Sequence, residues 1–253
     1  LNINVPFFKQ YALLGDSLSQ KRTVLRNLSD NAFYYYPNKN EFEYEVPFHY
    51  SPQFIGELLA DTLHKPVTVV NSKKPKNTTT LYSVPTDSIY KVMMQESDNF
   101  LAEQLLLASA NIVSDTLNSE IGIDYITEQY LTGIPDKPLW RDGSGLSRYN
   151  LFTPRSIVWL WRNIYAKVEQ DRLFSIIATG GKNGTLENYF GADVPYIFGK
   201  TGTLSNNFAL SGFLVAKSGK VLVFSYMNNN YPVSSRDIKP DMEEFLITIY
   251  NKY

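Results

Sequence analysis

The sequence predicts an α+β fold in which an antiparallel sheet is flanked by helices, and three features carry the prediction. Helical periodicity with capping signals fills the middle of the chain. Residues 207–228 read as two consecutive apolar strands, and an amphipathic helix follows them to the end. No segment repeats, and none is of low complexity.

The elements follow in order. Phe33 and Tyr35, then Phe42, Tyr44 and Val46, alternate around Pro37-Asn38-Lys39-Asn40, which is the pattern of a hairpin. A helix is predicted over 52–65, with Ser51 as cap, Pro52 at its first position and Phe54, Ile55, Leu58, Leu59 and Leu63 on one face. The polar stretch from Asn71 to Pro85 is a connector. Helices are expected over 86–96 and 100–117, the second burying Leu101, Leu105, Ala108 and Ile112, so that Ser97-Asp98-Asn99 falls at their junction. Thr153 and Pro154 open another helix. Strands over 207–217 and 220–228 meet at the tight turn Ser218-Gly219, and Met242, Phe245, Leu246, Ile249 and Tyr250 mark the closing helix.

Composition removes several classes of function. With 24 basic and 25 acidic residues and no Lys/Arg cluster, there is no electrostatic footprint for nucleic acid. There is no cysteine, hence no disulfide, thiol nucleophile or thiolate metal site. Two histidines without pairing argue against a metal site or a Ser-His-Asp triad, and no cofactor is expected. No apolar run reaches the roughly 20 residues of a membrane helix. The opening LNINVPFFKQ has neither a Met nor a signal pattern, and reads as the start of a mature or trimmed product.

Two triplets carry the chemistry. Gly199-Lys200-Thr201 matches the end of a phosphate-binding loop, but the position five before Gly199 is Val194 and a strand follows where a helix is required. Taken alone, Ser97 also fits a helix N-cap, Glu103 an acid favoured by the helix dipole, and Asp142-Gly143-Ser144-Gly145 a plain turn. Taken together, SVPTDSIYKVMMQESDNFLAEQLL, WRDGSGLSRYNLFTPRSI, GGKNGTLENYF and GKTGTLSNNFALSGFLV resemble the penicillin-recognising serine peptidases and β-lactamases. Their signature is S-x-x-K, S-D-N and K-T-G. The chain is most similar to the D-alanyl-D-alanine carboxypeptidase/endopeptidase group (DacB-like, peptidase S13), from about residue 50 onward.

That resemblance implies a β-lactamase/transpeptidase-like domain over 49–253, incomplete at its N-terminus, preceded by a segment 1–48 of uncertain origin. It implies a serine D,D-peptidase acting on peptidoglycan stem peptides that end in D-alanine, in the periplasm or otherwise outside the cytoplasm, with β-lactams as further ligands. Lys200, with the hydroxyls of Thr201 and Thr203, would hold the substrate carboxylate, while Gly202 lets the backbone approach. Ser97 would lie in the proton path to the leaving amine, Asn99 would bind the acyl-side carbonyl, and the Thr203 N–H would serve the oxyanion hole. Asp98 and Asp142 would be structural.

The nucleophile is not found. Only Ser88 has a lysine three residues on, and it stands nine positions before Ser97, about 13 Å along a continuous helix. Three explanations remain open: the chain is a C-terminal portion, it is the mate of a separate piece, or it is a degenerate relative that binds without reacting. The competing functional class is accordingly a non-catalytic module for cell-wall peptide or an envelope protein, with an esterase a distant third.

Overall fold

The structure, a computed structural model of the 253-residue chain, describes residues 1–15, 24–37, 43–73 and 75–253. Contacts divide it into two compact units, Leu1–Thr80 and Leu81–Tyr253.

In the first unit, a 3₁₀ turn at Pro6–Tyr11 leads into β1 (Ala12–Leu14), followed by β2 (Val24–Arg26) and β3 (Phe33–Tyr35). The sheet order is β1-β3-β2, with β1 parallel and β2 antiparallel to β3. The expected hairpin does not form as read. Part of it, Asn38 to Phe42, lies outside the described residues, but Tyr44 and Val46 belong to no strand. The segment is held instead by the Asn31 side chain, which donates to His49 O (2.7 Å) and accepts from His49 N (2.6 Å). Phe33 and Phe48 both join a ring cluster around Phe8 and Phe54.

Helix α1 (Pro52–Leu63) begins at the expected cap, with Ser51 Oγ accepting from Phe54 N at 3.1 Å, and ends at His64 in the left-handed region. Its apolar face is narrower than predicted. Phe54 enters the ring cluster and Gly56 lies under Val69, while Ile55, Leu59 and Leu63 stay exposed.

The second unit contains α2 (Thr86–Gln95), α3 (Asn99–Val113), α4 (Ser119–Tyr130), α5 (Pro154–Tyr165), α6 (Gln170–Ile176), β4 (Ala178–Thr179), β5 (Ile197–Leu204), β6 (Asn207–Val215), β7 (Val221–Asn229) and α7 (Ser235–Lys252). The four strands form an antiparallel sheet in the order β4-β5-β6-β7, as the α+β reading anticipated. Alternation along β6 separates two cores. Phe208, Leu210 and Leu214 face Met242 and Leu246 of α7, whereas Phe213 faces Trp161 of α5 and Leu173 and Ile176 of α6. Trp161 Nε1 fixes α5 to the sheet by donating to Ser211 Oγ at 2.9 Å.

Helix α3 is rotated from its predicted face. It buries Leu106 and Ala110, and Ile112 is 84% exposed. The cause is α4, which the sequence does not announce: a Cβ on Gly122 would lie 3.1 Å from Leu106 O, so that glycine lets the two helices touch along the Leu106–Ala110 stripe. α4 starts at Asn118, whose Oδ1 accepts from Glu120 N at 2.8 Å.

Candidate active site

The junction between α2 and α3 is three residues long, and local chemistry shapes it. Glu96 ends α2 in helical geometry, Ser97 takes φ +60, and Asp98 caps α3 by accepting from Leu101 N at 2.8 Å. The cap is therefore Asp98 and not Ser97. A left-handed serine closing a helix occupies a position that favours glycine, at a cost of about 1–2 kcal/mol. Ser97→Gly and Ser97→Ala both remove the hydroxyl, but only glycine relieves the backbone. Urea denaturation should rank Ser97→Gly above Ser97→Ala by about 1 kcal/mol; the reverse order would mean that Ser97 is not held at positive φ.

The side chain released by this turn meets β5. Lys200 Nζ donates to Ser97 Oγ at 2.5 Å and to Thr201 O at 2.7 Å. Burial lowers the Lys200 ammonium from its ordinary 10.5 to about 8. Two triplets about a hundred residues apart thus share one hydrogen bond.

Strand register decides which backbone groups of β5 the sheet leaves unpaired. Val215 N donates to Tyr196 O at 2.9 Å, so alternation turns the even-numbered residues of β5 toward β6 and the odd-numbered ones to the other side. On that side β4 pairs only as far as Gly199. The backbone groups of Thr201 and Thr203 therefore lie beyond the end of β4, with Thr201 O already accepting from Lys200 Nζ. Gly202 sits between them, and a Cβ added there would meet nothing within 4 Å, which leaves room for a ligand backbone. Asn99 opens α3 with an exposed side chain.

The loop after α4 is bound to α3. Asp142 Oδ1 accepts from Gly145 N (2.9 Å), Ser144 Oγ (3.2 Å) and Asn150 Nδ2 (3.0 Å). Glu103 Oε2 accepts from Gly143 N (2.6 Å) and Ser144 N (3.0 Å). Glu103 lies beyond the first turn of α3, so its role is to tie this loop down and not to complement the helix dipole. Arg148 then donates to Ser205 O at 3.1 Å, next to the end of β5. Sequence reasoning expected Asp142 to hold this loop but missed the bonds of Glu103 and Arg148, as it missed Thr185, whose hydroxyl lies 2.8 Å from Thr201 Oγ1. The only signal for Thr185 was the stretch GGKNGTLENYF, which carries the family likeness without assigning a role to any residue in it. Among the described residues no three His, Asp or Glu side chains converge as a metal site would require.

Curated proteins similar in sequence include two carboxypeptidases. The D-alanyl-D-alanine carboxypeptidase DacB of Haemophilus influenzae is 26% identical over 181 residues, which is 67% of this chain and 38% of that protein. The penicillin-sensitive carboxypeptidase A of Dictyostelium discoideum is 28% identical over 168 residues, 60% of this chain and 32% of that protein. The chain thus spans less than half the length of the curated relatives it matches. Crystal structures of penicillin binding protein 4 (dacB) from Haemophilus influenzae share the fold. One matches with a TM-score of 0.69 at 21% identity over 90% of this chain and 56% of that one. Another, complexed with a β-lactam, matches with a TM-score of 0.62 at 22% identity over 90% and 58%. A family profile matches residues 41–249, well over half of the chain, and by that match the chain belongs to the D-Ala-D-Ala carboxypeptidase 3 (S13) family.

Proposed function

We propose that this chain contributes the S-D-N and K-T-G walls of a serine-type D,D-peptidase site. It would act on peptidoglycan stem peptides outside the cytoplasmic membrane, with the acylated serine supplied from outside these 253 residues. The observation that carries the reading is the Lys200–Ser97 bond beside the part of β5 that β4 does not pair. An extended peptide laid along β5 would find the Thr201 and Thr203 backbone groups as partners. Its terminal carboxylate would be held by Lys200 and the threonine hydroxyls, and the Thr203 N–H would face the oxygen of the scissile carbonyl. Ser97, bonded to Lys200, would lie in the proton path to the leaving amine. Asn99 would bind the acyl side, while Asp98 and Asp142 shape the walls. The β-lactam held by the Haemophilus penicillin binding protein 4 supports including such compounds among the ligands.

Ser88 sits in the first turn of α2, a full helix away from Ser97, and is not the nucleophile of this reading. The same fact favours a second reading, a module of this family that binds cell-wall peptide without reacting. Incubated with labelled penicillin, this chain should keep its unmodified intact mass; an adduct on Ser88 would overturn the assignment. The encoded sequence upstream of Leu1 separates the two readings. A peptidase carries S-x-x-K there and is acylated one-to-one on that serine, and a binding module is not.

A further inference from the structure

The turn beside β5 is closely packed and hydrogen-bonded. Gly184-Thr185-Leu186 forms one turn of 3₁₀ helix. Gly184 has φ +59, and a Cβ there would lie 2.4 Å from Gln95 O, so only glycine lets this turn sit flush on the end of α2. Asn183 Oδ1 accepts from Thr179 N at 2.9 Å, and Gly181 N donates to Tyr189 O at 2.6 Å. Farther along, Phe190, fully buried at φ +60, donates its N–H to Glu243 Oε1 on α7 at 2.6 Å. What this frame presents to the site is one hydroxyl, Thr185 Oγ1, 2.8 Å from Thr201 Oγ1. It is the one hydrogen bond that either hydroxyl makes among the described residues.

We propose that Thr185 is a positioning residue for carboxylate recognition, acting through Thr201. The inference rests on the reading of Lys200 and Thr201 as the carboxylate clamp. Each threonine hydroxyl has one proton and two lone pairs. In the free protein the Thr201 O–H donates a hydrogen bond to Thr185 Oγ1. A bound carboxylate accepts a hydrogen bond from the Thr201 O–H, and the Thr185 hydroxyl then rotates to donate to Thr201 Oγ1. The bond survives with its polarity reversed, no covalent bond changes, and a chain Thr185 O–H to Thr201 O–H to carboxylate results. Each link in such a chain strengthens the next, and the frame keeps Thr185 Oγ1 within reach of Thr201 Oγ1 in both states. A ligand ending in an amide, which offers a weaker acceptor, draws less from this chain.

The test is calorimetric titration with N-acetyl-D-alanyl-D-alanine and with its C-terminal amide. Thr185→Val should weaken the free acid about three- to tenfold, the scale of one neutral hydrogen bond, and leave the amide within about twofold; Thr185→Ser should restore the free acid. Thr185→Ala carries the same expectation should the valine variant fail to fold. Because Thr185 acts only through Thr201, the double variant Thr185→Val/Thr201→Val should bind no more weakly than Thr201→Val alone. Wild-type affinity in both Thr185→Val and Thr185→Ala, or losses that multiply in the double variant, overturns the proposal. If Lys200→Ala and Thr201→Val lose the preference for the free acid while the Thr185 variants keep it, only the role of Thr185 falls. If Lys200→Ala and Thr201→Val also keep it, the clamp reading has failed and this inference falls with it.

Discussion

Lys200→Ala should weaken binding of N-acetyl-D-alanyl-D-alanine by about tenfold or more, and should leave the amidated dipeptide nearly unchanged. A charge-assisted hydrogen bond contributes about 1.5–3 kcal/mol, against about 1.4 kcal/mol for each factor of ten in affinity. A lysine solvated on a strand would contribute almost nothing, but Lys200 is half-buried and points at Ser97. The pH dependence gives an independent reading of the same group. Burial holds the free-protein ammonium near 8, so the clamp is fully charged below that pH and loses its proton above it. Affinity for the free acid should be flat up to about pH 8 and fall above it by about tenfold per unit, because binding must first restore the proton. An ordinary lysine would hold its charge to about 10.5. Persistence of the free-acid preference in Lys200→Ala would remove the central residue of the proposed site.

Gly212→Ala should cost the fold about 3 kcal/mol or more, near the upper end for overpacking by a single methyl. Gly212 lies opposite Gly199 in the β5–β6 register and has φ +151. A Cβ there would stand 2.1 Å from Phe198 O and 2.6 Å from Gly199 Cα. The obstacle is backbone, and β5 cannot swing aside because β4 and β6 hold it on both sides at Gly199. Gly202→Ala is the informative contrast. Its Cβ meets nothing in the protein, so the variant should fold with wild-type stability yet bind peptide poorly, since the methyl fills space left for the ligand. Urea denaturation of both variants checks the first half, and dipeptide titration of Gly202→Ala checks the second. Equal stability of Gly212→Ala and wild type would mean that the strand register beside Lys200 is not as described.

What the sequence determined alone is what short-range chemistry controls. Ser51 and Thr153 announced α1 and α5, because a cap is a bond between a side chain and an amide three residues away. The apolar stretch from Asn207 announced β6, because an extended strand with side chains on both faces is a local pattern of the chain. The triplets at Ser97 and Lys200 were legible as chemistry because each is contiguous. α4, α6 and β4 were not foreseen; β4 is two residues long and exists only because β5 accepts it.

Tertiary structure decided everything that needed two distant segments at once. Which stripe of α3 is buried depends on Gly122 in another helix, so the apolar pattern of α3 alone pointed to the wrong residues. Glu103 could be read as a dipole partner until Gly143 and Ser144 brought it their amides. That Ser97 meets Lys200, and that Thr185 meets Thr201, requires the α2–α3 junction and the Gly184 turn, which sits against Gln95 O, to lie beside β5. Capping and apolar patterning act within a few residues and leave a mark in the sequence. Contact between separate elements is set by register and by close approach, which no local window of residues records.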